Sequence, residues 1–221
     1  HPRTHRDPKS SRFSQFWGRL QPNVIFNSIL ILNGVVFGMW YMSTQRLRHE
    51  RDITTYKWMA DNFICSWSNV KNGQIWTLLT SCFSHQDLSH ILFNGFTFFF
   101  MAKPVLHILG TSQFLLLYLG SGVVANVISM SYSNLIQNRD KGSIGASGAI
   151  YSVVSFLACV APKLTFHFYG IIPIPAWLAV TGIFAYDVYS TVARKQAGVD
   201  TVGHVAGLVS GVGYFLLRRN L

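Results

Sequence analysis

The sequence predicts an all-α, polytopic membrane protein: a bundle of six transmembrane helices with a long first loop lying in the interface. Three observations carry this prediction. Charged residues make up 12% of the chain and hydrophobic ones 50%, whereas a soluble domain usually carries about 25% charged residues. Six apolar stretches follow one another along the chain, and the charged residues collect in the segments between them. The net charge of +10 is spread over every loop rather than gathered on one face. That pattern suits contact with anionic lipid headgroups, so the bilayer is the expected partner and nucleic acid is not.

In chain order, residues 1–23 read as a basic, polar arm with Pro2, Pro8 and Pro22, and residues 24–221 as one membrane domain. The arm has five Lys and Arg against Asp7 alone, which suits either the tail of a mitochondrial presequence or an ordinary membrane flank. The first span is 23–42, about 20 residues without a charge, enough to cross a bilayer. Trp40 and Tyr41 stand where an aromatic belt is expected. Residues 43–87 open polar and turn aromatic (Tyr56, Trp58, Phe63, Trp67, Trp76), which predicts a folded interfacial loop of short amphipathic helices.

The second span, 88–102, is dense in phenylalanine, and Lys103, Pro104 and His107 mark its end or a tight connection. The third is 112–130, followed by a polar loop over 131–143, and the fourth is 147–161. The fifth, 164–187, contains Gly170, Pro173 and Pro175, which predict a bent or unwound start. A polar loop over 188–201 precedes the sixth span, 202–217. Lys and Arg divide evenly between the two sides, so orientation does not resolve. Of the three cysteines, Cys159 reads as packing and a Cys65–Cys82 disulfide is possible but not required; their spacing is not that of metal ligands.

Spans two, four and six run in the same direction. Their polar residues, His90 and Asn94, Ser147 and Tyr151, and His204, all fall near the same ends, so one layer of the membrane holds all five. Ser147 lies in Gly145-Ala146-Ser147-Gly148, at the mouth of an uncharged helix. A serine hydroxyl needs a base to become a nucleophile, and histidine is the usual one near neutral pH. Ser147 as nucleophile and His204 as base form the expected catalytic dyad; an interhelical hydrogen bond is the alternative role for His204. His90 and Asn94, one turn apart, offer N–H donors to an oxyanion, as does the Ser147 amide at a helix N-terminus. A structural polar pair is the alternative for His90 and Asn94. Tyr151, one turn beyond Ser147, could stack on His204 or simply pack. Gly203, Gly207 and Gly211 form a small-residue stripe that lets the sixth span approach the fourth at Gly148 and Ser152. Asp187 and Asp200 read as solvated ends of spans five and six. Ser84, His85 and Asp87 lie too close together in one loop to form a triad.

These residues resemble the rhomboid family of intramembrane serine proteases. The resemblance rests on His90-Ile-Leu-Phe-Asn94, on Gly145-Ala-Ser147-Gly148 with Tyr151, and on Gly203-His204-Val-Ala-Gly207, and it covers about residues 24–217. It implies Ser147 as nucleophile, His204 as base, His90, Asn94 and the Ser147 amide as oxyanion hole, and Tyr151 as the ring stacked on the histidine. It implies no cofactor or metal. The implied substrates are transmembrane segments of single-pass membrane proteins, reached between the second and fifth spans. Where many rhomboids have Trp-Arg in the first loop, this chain has Trp76-Thr77. The Gly-Ala-Ser-Gly form, the basic start and Ile172-Pro-Ile-Pro-Ala-Trp177 look most like mitochondrial, presenilin-associated rhomboid-like members. That makes the mitochondrial inner membrane the expected location, with a secretory-pathway membrane as alternative. Such members commonly carry a further helix ahead of the six, and none is visible in residues 1–23. A rhomboid-like protein that binds membrane helices without cutting them is the main competing function. A small transporter is a weaker one, because no paired half-helix repeat supports it.

Overall fold

The computed structural model describes residues 20–168, 172–192 and 200–218. Most of the predicted arm and part of the loop before the sixth span lie outside these residues. Helix α1 (Pro22–His49) begins on a proline, whose missing N–H is no loss at a helix start. It ends on Arg46, Arg48 and His49, which suit the negative end of the helix dipole. Its 28 residues extend well past the predicted 23–42. Trp40 departs from its expected place in a lipid-facing belt: it is 1% exposed, and its indole N–H donates to Ser84 Oγ at 2.7 Å. A buried indole needs such an acceptor, and the bond pins the end of the first loop to α1.

The first loop is folded, as predicted, into α2 (Thr54–Phe63), α3 (Trp67–Lys71), α4 (Thr77–Thr80) and a 3₁₀ turn, Ser81–Phe83. Trp58, Ile75 and Trp76 stay exposed on it. The chain then forms α5 (Leu88–Leu109) and α6 (Thr111–Leu135), joined at Gly110 with φ +72°. Lys103 and Pro104 do not end the second span. The helix runs on because Ala102, Val105 and Leu106 are buried in the core around the proline, and this packing outweighs the one hydrogen bond that Pro104 cannot donate. Phe98 of α5 stacks on Phe26 of α1 at 5.3 Å and meets Tyr118 of α6 edge-on at 5.5 Å.

Helix α7 (Ser147–Val160) is the centre of the bundle, packed against α5, α6 and the last two helices of the chain. Its 14 residues span about 21 Å, less than the ~30 Å hydrocarbon layer. The fifth apolar stretch has an unwound start, one of the two forms expected, and that start is a hairpin rather than a bent helix. Thr165–Phe168 (β1) pairs antiparallel with Ile172–Pro175 (β2), Phe166 opposite Ile174. Two prolines cannot donate to a helical ladder, but a strand at the edge of a two-stranded ribbon tolerates them. Helix α8 (Ala176–Val192) follows, and α9 (Thr201–Arg218) closes the fold. Helices α1, α5 and α6 are long and apolar enough to cross a membrane. The other three apolar helices are 14, 17 and 18 residues long. All three cysteines are free thiols.

Candidate active site

The site forms where α9 lies against α7. A Cβ on Gly207 would run into the Gly148 carbonyl group, and one on Gly211 into the Ser152 carbonyl and the Ser155 hydroxyl. Only glycines allow this approach, as the small-residue stripe predicted. Ser155 Oγ also donates across the contact to the Leu208 carbonyl at 2.9 Å. The close approach sets Gly203 beside Gly148, whose added Cβ would sit 3.6 Å from the Gly203 oxygen. His204 thus comes next to the first turn of α7. Its ring stacks on Tyr151, centroids 4.3 Å apart and planes at 25°. Ser147 is the first residue of α7 and 8% exposed, so its amide N–H faces no acceptor in its own helix.

On the other side of Ser147 lies α5. Gly145 has φ +122°, and a Cβ there would touch the His90 ring at 2.8 Å and come within 3.8 Å of Asn94 Nδ2. The turn before the serine therefore rests on the two residues predicted to donate to an oxyanion. Ser147, Tyr151, His90, Asn94 and His204 come together from three helices, with Gly145, Gly148, Gly203, Gly207 and Gly211 supplying the close approaches. Chemically, the cluster offers a hydroxyl, an imidazole on a neighbouring helix and several N–H groups. Among the described residues, no three His, Cys, Asp or Glu side chains gather to hold a metal.

Two residues outside the motifs also adjoin the site. His85 is fully buried, and its ring meets His90 edge-on at 4.9 Å. Its Nε2 accepts the Ala146 N–H at 3.4 Å and bonds Asn94 Nδ2 at 2.9 Å. Burial first, and the neighbouring His90 second, push its pKa down to about 3, so His85 is neutral; an Nε2 that accepts the Ala146 N–H carries no proton, which assigns the ring proton to Nδ1. Asp200 is not a solvated end. Its carboxylate accepts from Ser129 Oγ, Ser143 Oγ and the Gly203 N–H. An aspartate three residues ahead of Gly203 at a helix start is a capping signal, and it could have flagged Asp200.

A profile of the Rhomboid domain matches residues 72–220, more than half of the chain. The chain belongs to the rhomboid family. This rhomboid is 24% identical to an uncharacterized mitochondrial rhomboid protein of Schizosaccharomyces pombe, over 83% of the chain and 60% of that protein. It is 26% identical to the mitochondrial presenilin-associated rhomboid-like protein of Homo sapiens, over 94% of the chain and 52% of that protein. It is 32% identical to a putative rhomboid protease of Bacillus subtilis, over 61% of the chain and 60% of that protein. The rhomboid thus spans between about half and 60% of these relatives' lengths. It is a helical membrane protein, and several of its relatives are mitochondrial rhomboids.

Proposed function

We propose that this rhomboid is an intramembrane serine endopeptidase. The observation that carries the reading is the stack of His204 on Tyr151, one turn along α7 from Ser147. It keeps an imidazole against a side chain one helical turn from the serine, which supports His204 as the base. In the proposed reaction Ser147 Oγ attacks the scissile carbonyl carbon as His204 takes its proton. The Ser147 amide, His90 and Asn94 donate to the oxyanion that forms. His204 then returns the proton to the leaving amine as the C–N bond breaks. Water, deprotonated by the same imidazole, releases the acyl group and restores the hydroxyl.

The substrates are transmembrane segments of single-pass proteins. They approach between α5, which exposes Leu92, Phe93 and Phe96, and α8, which exposes Trp177. The mitochondrial names of several relatives support a mitochondrial membrane, of which we propose the inner one, and the Bacillus relative's name supports protease activity. The test is cleavage of a single-pass test substrate by purified protein in detergent or liposomes, beside Ser147→Ala and His204→Ala. Wild type alone should cut, and a fluorophosphonate should label Ser147. If none cuts and no label appears, the helix-binding, non-cutting reading replaces this one.

A further inference from the structure

We propose that Asp200 is a positioning residue for His204. The inference rests on the protease reading above and extends it to a side chain outside the motifs. The Asp200 carboxylate gathers three neutral donors from three separate segments. Ser129 Oγ of α6 donates to Oδ1 at 2.6 Å and the Gly203 N–H of α9 to the same oxygen at 2.9 Å. Ser143 Oγ, in the loop that leads to Ser147, donates to Oδ2 at 2.5 Å. Hydrogen bonds to an ionised acceptor are shorter and roughly twice as strong as neutral ones.

The Asp200 carbonyl also accepts the backbone N–H of His204 itself, at 3.0 Å. The residue therefore holds the histidine's turn twice, by its side chain at Gly203 and by its main chain at His204. A Cβ on Gly203 would lie 2.6 Å from Oδ2 and 2.9 Å from Cγ, so the carboxylate lies flat against that glycine. Asp200, Gly203, Ser143 and Ser147 line one small cavity. The carboxylate is thus the point where the loop carrying the serine and the helix carrying the histidine are tied to α6. Sliding or rotating the first turn of α9 would carry the imidazole away from Ser147. A misplacement of about 1 Å can cost ~100-fold in rate.

A cap that served stability alone would lower the unfolding midpoint but leave turnover per folded molecule unchanged. The experiment measures kcat and KM on the single-pass substrate for wild type, Ser147→Ala, Asp200→Ala, Asp200→Asn and the double variant Ser129→Ala/Ser143→Ala. Each is normalised to the folded fraction from size exclusion and thermal unfolding. Asp200→Ala should lose ~10- to 100-fold in kcat with KM within about twofold. Asp200→Asn keeps the Oδ1 acceptor and should stay within ~3-fold of wild type. The double serine variant keeps the cap on Gly203 but frees the carboxylate from α6 and the loop, and should lose ~3- to 10-fold. Should Asp200→Ala fail to fold, the double variant decides.

If wild type cuts, Ser147→Ala does not, and the folded Asp200→Ala or double variant turns over at the wild-type rate, the Asp200 assignment is wrong while the protease reading stands. If wild type does not cut, both fall together.

Discussion

The rings of Tyr151 and His204 lie 4.3 Å apart at 25°, a stack formed by a residue of the central helix and a residue of the last one. Aromatic pairs of this kind contribute about 0.5–1.5 kcal/mol beyond their burial. Removing the ring with Tyr151→Ala should therefore slow cleavage ~2- to 10-fold. Tyr151→Phe keeps the stacking face and should stay near wild type. Equal loss in both variants, measured as kcat in detergent, would show that the phenol and not the ring is what matters.

Gly207 touches backbone, not side chain. The carbonyl carbon and Cα of Gly148 lie 2.9 and 3.1 Å from where its Cβ would sit, and neither can swing aside. Gly207→Ala should destabilise the fold by about 1–3 kcal/mol through overpacking. Nothing lies within 4 Å of the equivalent position on Gly213, so Gly213→Ala should be neutral or gain about 0.5–1 kcal/mol. Unfolding midpoints for the pair check this. A Gly207→Ala midpoint equal to wild type would mean that the two helices are not so closely seated.

His85 makes stability depend on pH. Its folded pKa of about 3 lies below the ordinary value of 6.5, so between those values the unfolded chain binds the extra proton. Its contribution is complete above pH 6.5 and is lost as pH falls toward 3. Between pH 6.5 and 5 the loss should be about 2 kcal/mol. His85→Asn, which cannot titrate, should flatten that slope. Parallel slopes for the two proteins in thermal unfolding would rule His85 out as the source.

Burial, then the Asp200 and Asp140 carboxylates, push the Cys65 thiol up to about 12. Burial first, then Cys65, does the same to Cys82, against the opposing bond from Asn126. Thiolate is the reactive form. A short maleimide pulse at neutral pH on the folded protein should therefore modify Cys159 at most, and all three cysteines after unfolding. Rapid labelling at Cys65 or Cys82 in the folded state would contradict the packing around the first loop.

The sequence made the helices and the five motif side chains legible because each is a local signal. His90 and Asn94 are one turn apart, as are Ser147 and Tyr151, and a glycine every fourth residue marks one face of α9. The surroundings of His85, Asp200 and Trp40 are not legible in the sequence for a common reason. Their partners, Asn94 and Ala146, Ser129 and Ser143, and Ser84, come from other segments. At the end of an apolar run a charged residue reads as solvated and an aromatic one as part of a belt until tertiary contacts are known. Gly170, Pro173 and Pro175 signal an unwound start to the fifth stretch, but the pairing of Thr165–Phe168 with Ile172–Pro175 is not legible, because an apolar run alone does not separate strand from helix.

The first loop and the segment leading to Ser147 share a single hydrogen-bond frame. Cys65 and Ser143 exchange both backbone hydrogen bonds, Asp140 accepts the N–H groups of Trp67 and Ser68, and the Gly145 N–H donates to Ser81. Neither segment can open while the other stays closed, which makes them one cooperative unit of local unfolding. Amide hydrogens of Cys65 and Ser143, far apart along the chain, should therefore exchange with solvent at a common rate.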